Sequence, residues 1–136
     1  MARTATRELS FMLIFQADFG QGVDYAGAIT EFGRKVDPHF LRGLVEDVLS
    51  RQEYLDEVIA KFARGWTVAR LPRIDRAILR LATWELLGTD TPPAVVINEA
   101  VELAKDYGNA ESPSFINGIL DSIKTQKSEL AGELGN

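Results

Sequence analysis

Arg73, Arg76 and Arg80 recur at intervals of three and four residues inside a helical apolar pattern, a spacing that stacks three guanidinium groups on one side of a helix. A guanidinium keeps its proton and grips phosphate or carboxylate oxygens in pairs, so such a row binds anions and moves no protons. The surrounding stretch carries the same sign. From Lys61 to Arg80 there are six bases (Lys61, Arg64, Arg70, Arg73, Arg76 and Arg80) against the single acid Asp75, whereas Leu81 to Asn136 hold nine acids and three bases. Two readings stand: an ordinary solvated face paired with nearby acids, or the docking surface of a polyanion, towards which the local surplus in an acidic chain leans. Arg3 and Arg7, with the terminal amine, add a second small basic site near the start. Phe15, Trp66, Tyr107 and Phe115 offer ring faces on which unstacked bases could lie, unless they fill the core.

Residues arranged for catalysis are missing. His39, the one histidine, follows Pro38 in the first turn of a predicted helix with no second ligand at helical spacing, so it reads as a solvated helix-end residue. The absence of cysteine excludes disulfides, thiolate metal sites and Cys nucleophiles. No nucleophile elbow, phosphate-cradling glycine loop or dinucleotide fingerprint is present, and neither a metal nor a cofactor is expected. Glu99, Glu102 and Asp106 share a helix face and suggest a solvated or partner-facing acidic edge. Asn98 and Asn117 each interrupt a strongly apolar helical pattern. A buried amide costs stability unless both ends find partners, so the pair, with Gly118 allowing close backbone approach, reads as a packing joint; direct ligand contact is the other reading.

The totals bound the fold. A length of 136 residues suits one domain with its own core, and 46% apolar residues exclude general disorder. The net charge of −5 argues against non-specific wrapping of nucleic acid, which needs a cationic surplus. No apolar run approaches the ~18 residues of a membrane span, and the run from Leu9 to Phe15 is short for a secretion signal and bracketed by Glu8 and Asp18, so a cytoplasmic address without membrane contact is expected.

Periodicity predicts seven helices and no strand. Thr4 or Thr6 should cap the first, which is apolar on most faces and so belongs at the centre or at an interface, self-association as a homodimer included. A second runs from about Asp24 to Phe32, a third opens at the Asp37-Pro38 cap, and a fourth covers about Gln52 to Arg64. After a connector from Trp66 to Pro72, further helices span about Arg73 to Leu87, Ala94 to Tyr107, and Ser112-Pro113, acting as cap, to about Lys127. The expected architecture is all-α, one domain over residues 1–136, with a four-helix half (about 1–65) and a three-helix half (about 71–127) as two packed bundles, and a frayed tail at 132–136.

Three ordered blocks then carry a resemblance: Ile74 to Leu87, Pro93 to Lys105 with its Ile-Asn-Glu-Ala-Val-Glu-Leu-Ala-Lys core, and Ser112 to Leu120. In order and spacing they resemble the bacterial NusB family of transcription antitermination factors, over about Leu71 to Ile123 with weaker agreement at Arg7-Glu8. The resemblance implies a helical RNA-binding protein built from two helical bundles. Such a protein pairs with the ribosomal protein NusE on single-stranded boxA RNA of ribosomal RNA transcripts and supports read-through by the RNA polymerase antitermination complex. It also implies RNA contacts at the arginine-rich start of the first helix. That start is thin here, because Thr4, Ala5 and Thr6 stand where basic residues are common, so weak binding by the chain alone is expected.

The RNA-binding candidates are therefore Arg3, Arg7, Phe15, Arg73, Arg76, Arg80 and Phe115, with Asp75 facing the partner and Asn98, Asn117 and Gly118 as structural signature positions. Other readings keep the fold and change the job. One is an RNA-binding front end acting with a separate rRNA-modifying partner, and another is an adaptor whose acidic faces dock a basic ribosomal protein without touching RNA.

Overall fold

The computed structural model describes residues 3–127, within which the chain forms seven α-helices and no strand. They are α1 (Thr4–Ala17), α2 (Tyr25–Phe32), α3 (Pro38–Ser50), α4 (Gln52–Phe62), α5 (Arg73–Gly88), α6 (Pro93–Tyr107) and α7 (Ser112–Thr125), with one 3-10 turn, Val68–Arg70, between α4 and α5. The expected frayed tail, 132–136, and the terminal amine lie outside the described residues.

Most boundaries follow from local chemistry. The Asp37 carboxylate accepts from the amides of His39 and Phe40 at the head of α3, and Pro38 sits where its missing N–H costs nothing. Gly33, just past α2, adopts φ +73°, a left-handed conformation that Cβ-bearing residues avoid. Two expected caps are corrected. α1 begins with no side-chain cap, and Thr4 instead donates to Glu99 on α6. Ser112 is the first residue of α7, not its cap, because Asn109 takes over that role by accepting from the amides of Glu111 and Ser112.

The helices pack around α5. It touches α1, α3, α4, α6 and α7, and from Asp75 to Leu87 every residue except Trp84 is buried. α6 and α7 pack against each other and on α5, while α1, α2 and α3 cover another side. α4 follows α3 in sequence but lies chiefly on α5 and α7, so the boundary near residue 65 does not separate two self-contained groups. α1 resolves its ambiguity by going inside: Leu9, Phe11, Leu13 and Ile14 join Leu79, Leu86, Ile116, Leu120 and Ile123 in one continuous core. No helix among the described residues is long and apolar enough to cross a membrane.

Candidate nucleic-acid interface

A helix enclosed on all sides has no solvated face, and this overturns the expected row of free guanidinium groups. Arg76 and Arg80 are 9% and 4% exposed. Arg76 donates to Asp18, just past α1, and through Nη1 to the carbonyls of Val68 and Ala69 at 3.2 Å. Arg80 lays Nε and Nη2 against the two oxygens of Asp56 on α4, both at 2.8 Å, and reaches Asp18 with Nη1. Burial opposes the charge on Arg80, but the bonds and charges of Asp56 and Asp18 outweigh it and raise its pKa. Burial likewise pushes the Asp18 carboxyl up, yet Arg76 and then Arg80 prevail and hold it below its ordinary value.

Arg7 meets the same fate at the other end of α1. Its guanidinium, 4% exposed, is held by Glu85 at 2.9 and 2.6 Å and by Glu99 at 3.1 Å. Glu99 is thus committed to an internal ion pair and leaves the expected acidic edge, on which Glu102 and Asp106 remain exposed. Arg7, Arg76 and Arg80 fasten α1, α4, α5 and α6 together and present no charge to solvent. The sequence held the signal in the scattered acids Asp18, Asp56, Glu85 and Glu99, whose pairing only the fold reveals.

Arg73 stands apart. One turn before Arg76, at the open end of α5, it is exposed and sets its guanidinium 4.2 Å from the centroid of the Phe19 ring. Arg3, Lys61, Arg64 and Arg70 are also exposed, and none of these five makes an ion pair among the described residues. The usable positive charge therefore falls in two places: the stretch from Lys61 to Arg73 that holds the 3-10 turn and the start of α5, and the head of α1, where Arg3 and the exposed Lys35 line a hollow of about 550 Å³.

Arg73 borders one of two adjoining hollows. One, of about 280 Å³, is bounded by Phe15, Phe19, Pro72, Arg73 and Tyr107; the other, of about 100 Å³, by Trp66, Leu71, Pro72, Phe115 and Ser112, with Asp75 and Asn109 shared between them. Phe19 and Trp66 are half exposed, two of only three large apolar side chains so open among the described residues. Trp66 meets Phe115 edge-on with centroids 6.1 Å apart, and Phe15 meets Phe19 the same way at 5.2 Å. Of the named candidates the fold brings Phe15, Arg73, Asp75 and Phe115 together here. Phe19 follows the end of α1 outside its apolar stripe and carries no signal in the sequence, and Trp66 stands out there only as one aromatic among several.

Asp75 closes the floor between the hollows. Only 3% exposed, it accepts from the Ser112 hydroxyl at 2.7 Å through Oδ1, while Oδ2 has no hydrogen-bond partner among the described residues. Burial drives this carboxyl upward, and the Ser112 bond offsets only part of the shift.

The packing joint is not found. Asn98 and Asn117 are exposed and form no hydrogen bond among the described residues, and a Cβ on Gly118 would meet nothing within 4 Å. Both helices instead turn their amides to solvent and bury Val96, Ala100, Leu103, Ile116 and Leu120 on other faces. His39 is exposed at the head of α3, and no group of His, Asp or Glu among the described residues could hold a metal ion.

An all-helical scaffold with a fixed aromatic groove and a cationic rim defines a binding module. Its family is clear: residues 4–125 match the NusB family, and the chain belongs to it. Relatives include the transcription antitermination protein NusB of Streptomyces avermitilis, 39% identical and aligned over 97% of each chain, and that of Leifsonia xyli, 40% identical over 93% of each. Among solved structures, T. maritima NusB superposes with a TM-score of 0.80 at 32% identity over 98% of both chains. A chain from a crystal structure of antitermination factors NusB and NusE in complex with dsRNA superposes at 0.74 with 25% identity, over 90% of this chain and 96% of that one.

Proposed function

We propose that this chain is a transcription antitermination factor that pairs with NusE on boxA-type single-stranded RNA of ribosomal RNA transcripts and supports read-through by RNA polymerase. The observation that carries this reading is the groove: exposed aromatic rings beside Arg73, which is not paired with an acid among the described residues, with the exposed Arg70 next in sequence to the lining residue Leu71. Unstacked bases lie on aromatic rings, and guanidinium groups along the rim neutralise the phosphates between them. The RNA-contacting residues are Phe15, Arg73 and Phe115, with Arg3 as an outlying phosphate contact, while Arg7, Arg76 and Arg80 act through the fold. So few free cations give weak binding alone, and NusE extends the surface.

A mobility-shift experiment with boxA RNA, with and without NusE, tests the reading. A weak shift with the chain alone and a strong one with both proteins is expected. No shift in either lane leaves the adaptor reading, which the burial of three of the seven RNA-binding candidates favours.

A further inference from the structure

We infer that α2 is a hinged flap over α1, latched through Arg34 and Glu8 to Tyr107, so that the position of the flap and one wall of the aromatic groove are set together. Three observations converge. First, α2 is the only one of the seven α-helices with no buried residue. Its eight residues are too few to hold a helix in water unaided, so α2 stays folded only while it is seated. Gly20 and Gly33, at φ +81° and +73°, bound the segment with left-handed turns that glycine adopts freely, the kind of position at which a chain swivels.

Second, the seat is incomplete. Leu9, Met12, Leu13 and Gln16 of α1 and Asp24, Gly27, Ala28 and Glu31 at α2 follow the same spacing of three, four and seven residues, and the two stripes line a hollow of about 670 Å³. Large apolar side chains normally close such a pair of stripes, whereas α2 brings glycine and alanine. The reason is local. Asp24 caps the helix by accepting from the Gly27 amide at 3.0 Å, and a Cβ on Gly27 would stand 2.3 Å from the other oxygen of that carboxylate. The cap that starts α2 thus forbids a side chain that would help to fasten it down.

Third, the polar attachment lies at one end. Arg34, immediately after Gly33, donates to Oε1 of Glu8 on α1 at 2.7 Å and sets its guanidinium 5.3 Å from the centroid of the Phe32 ring. Oε2 of the same carboxylate accepts the Tyr107 hydroxyl at the end of α6. That bond, and then burial, push the Tyr107 hydroxyl up to about 12, which keeps it a donor to Glu8 at neutral pH. Tyr107 lines both the hollow under α2 and the larger hollow of the aromatic groove. The rest of the attachment is a partly buried edge, Tyr25, Ile29 and Phe32, with the Tyr25 ring 5.4 Å from the Arg42 guanidinium of α3. Opening of α2 therefore releases Arg34 from Glu8 and frees the hydroxyl that orients the Tyr107 ring, well before the core gives way.

Residue-resolved hydrogen exchange of the full chain at increasing, sub-denaturing urea tests this. The amides from Ala28 to Gly33, bonded back to Asp24 and Ile29 at the two ends, should exchange at least about tenfold faster than those of buried α5 and with almost no dependence on urea, the signature of a local opening. Arg34→Ala should speed exchange in α2 by about threefold, the scale of a part-exposed ion pair, and leave α5 unchanged. Tyr107→Phe should act alike, and the double variant should gain less than the product of the two, since both loosen one carboxylate. Lys35→Ala, at the next exposed residue, should change neither helix. Amides of α2 that share the urea dependence of α5 overturn the flap. Unaltered α2 exchange in Arg34→Ala overturns the latch, unaltered α2 exchange in Tyr107→Phe overturns the link to the groove, and an equal rise in α5 marks general destabilisation and overturns both.

Discussion

The hydroxyl of Ser112, at the first residue of α7, donates to Oδ1 of Asp75 in the first turn of α5 across 2.7 Å, and so joins the two helix starts that frame the groove. Replacing that hydroxyl with hydrogen leaves a buried carboxylate without its one donor. Ser112→Ala should therefore cost roughly 1–3 kcal/mol in urea unfolding and raise the Asp75 pKa further, as followed by carboxyl NMR. An unchanged titration of Asp75 in that variant would show that the bond contributes nothing in solution.

The same carboxylate opposes folding. Because its pKa is higher folded than unfolded, the folded state is favoured relative to the unfolded one below the ordinary value of 3.8, and that advantage disappears as pH rises through the folded value. Asp75→Asn removes the charge and keeps an acceptor for Ser112, so it should raise the urea midpoint at pH 7, with a difference that shrinks as pH falls towards 3.8. A variant less stable than the parent at pH 7 would mean that the charge has a stabilising partner the described contacts do not include.

Asp18 has the opposite sign. Its pKa is lower folded than unfolded, so its pairs with Arg76 and Arg80 stabilise above about pH 3.8 and are lost as pH falls below that into the folded value. Asp18→Asn should flatten the acid limb of the stability profile. A profile parallel to that of the parent protein from pH 5 to 2 would rule out this contribution.

Arg80→Ala leaves Asp56 and Asp18 in a largely enclosed site without their shared cation and should cost on the order of 3–5 kcal/mol, read by chemical denaturation. Arg7→Ala should act alike through Glu85. RNA affinity lost in either variant then follows unfolding and is recovered where the protein is still folded. A variant fully folded yet unable to bind RNA would return these arginines to the interface.

The sequence made the helices legible because each depends on neighbours along the chain: the apolar spacing of α3 and α4, the Asp37-Pro38 start, the glycines after α2 and α4. Arg73 and the cluster of Phe15, Asp75 and Phe115 were also within reach, the latter through the family blocks. What periodicity could not show is which helix ends up enclosed. α5 has an apolar face and a charged face like any surface helix, and its charged face is buried only because Asp18 and Asp56, distant in sequence, are brought against it. The asparagines failed for a related reason, since a polar residue in an apolar run marks a helix face that the fold is free to leave in water.

The central claim, that free charge lies on the groove rim and not along α5, is tested most directly by the salt dependence of RNA binding in Arg73→Ala. With one phosphate contact fewer, the slope of log affinity against log salt should fall by about 0.7 while the thermal midpoint stays within a degree or two of the parent. An unchanged slope and affinity in a folded Arg73→Ala protein would contradict the account.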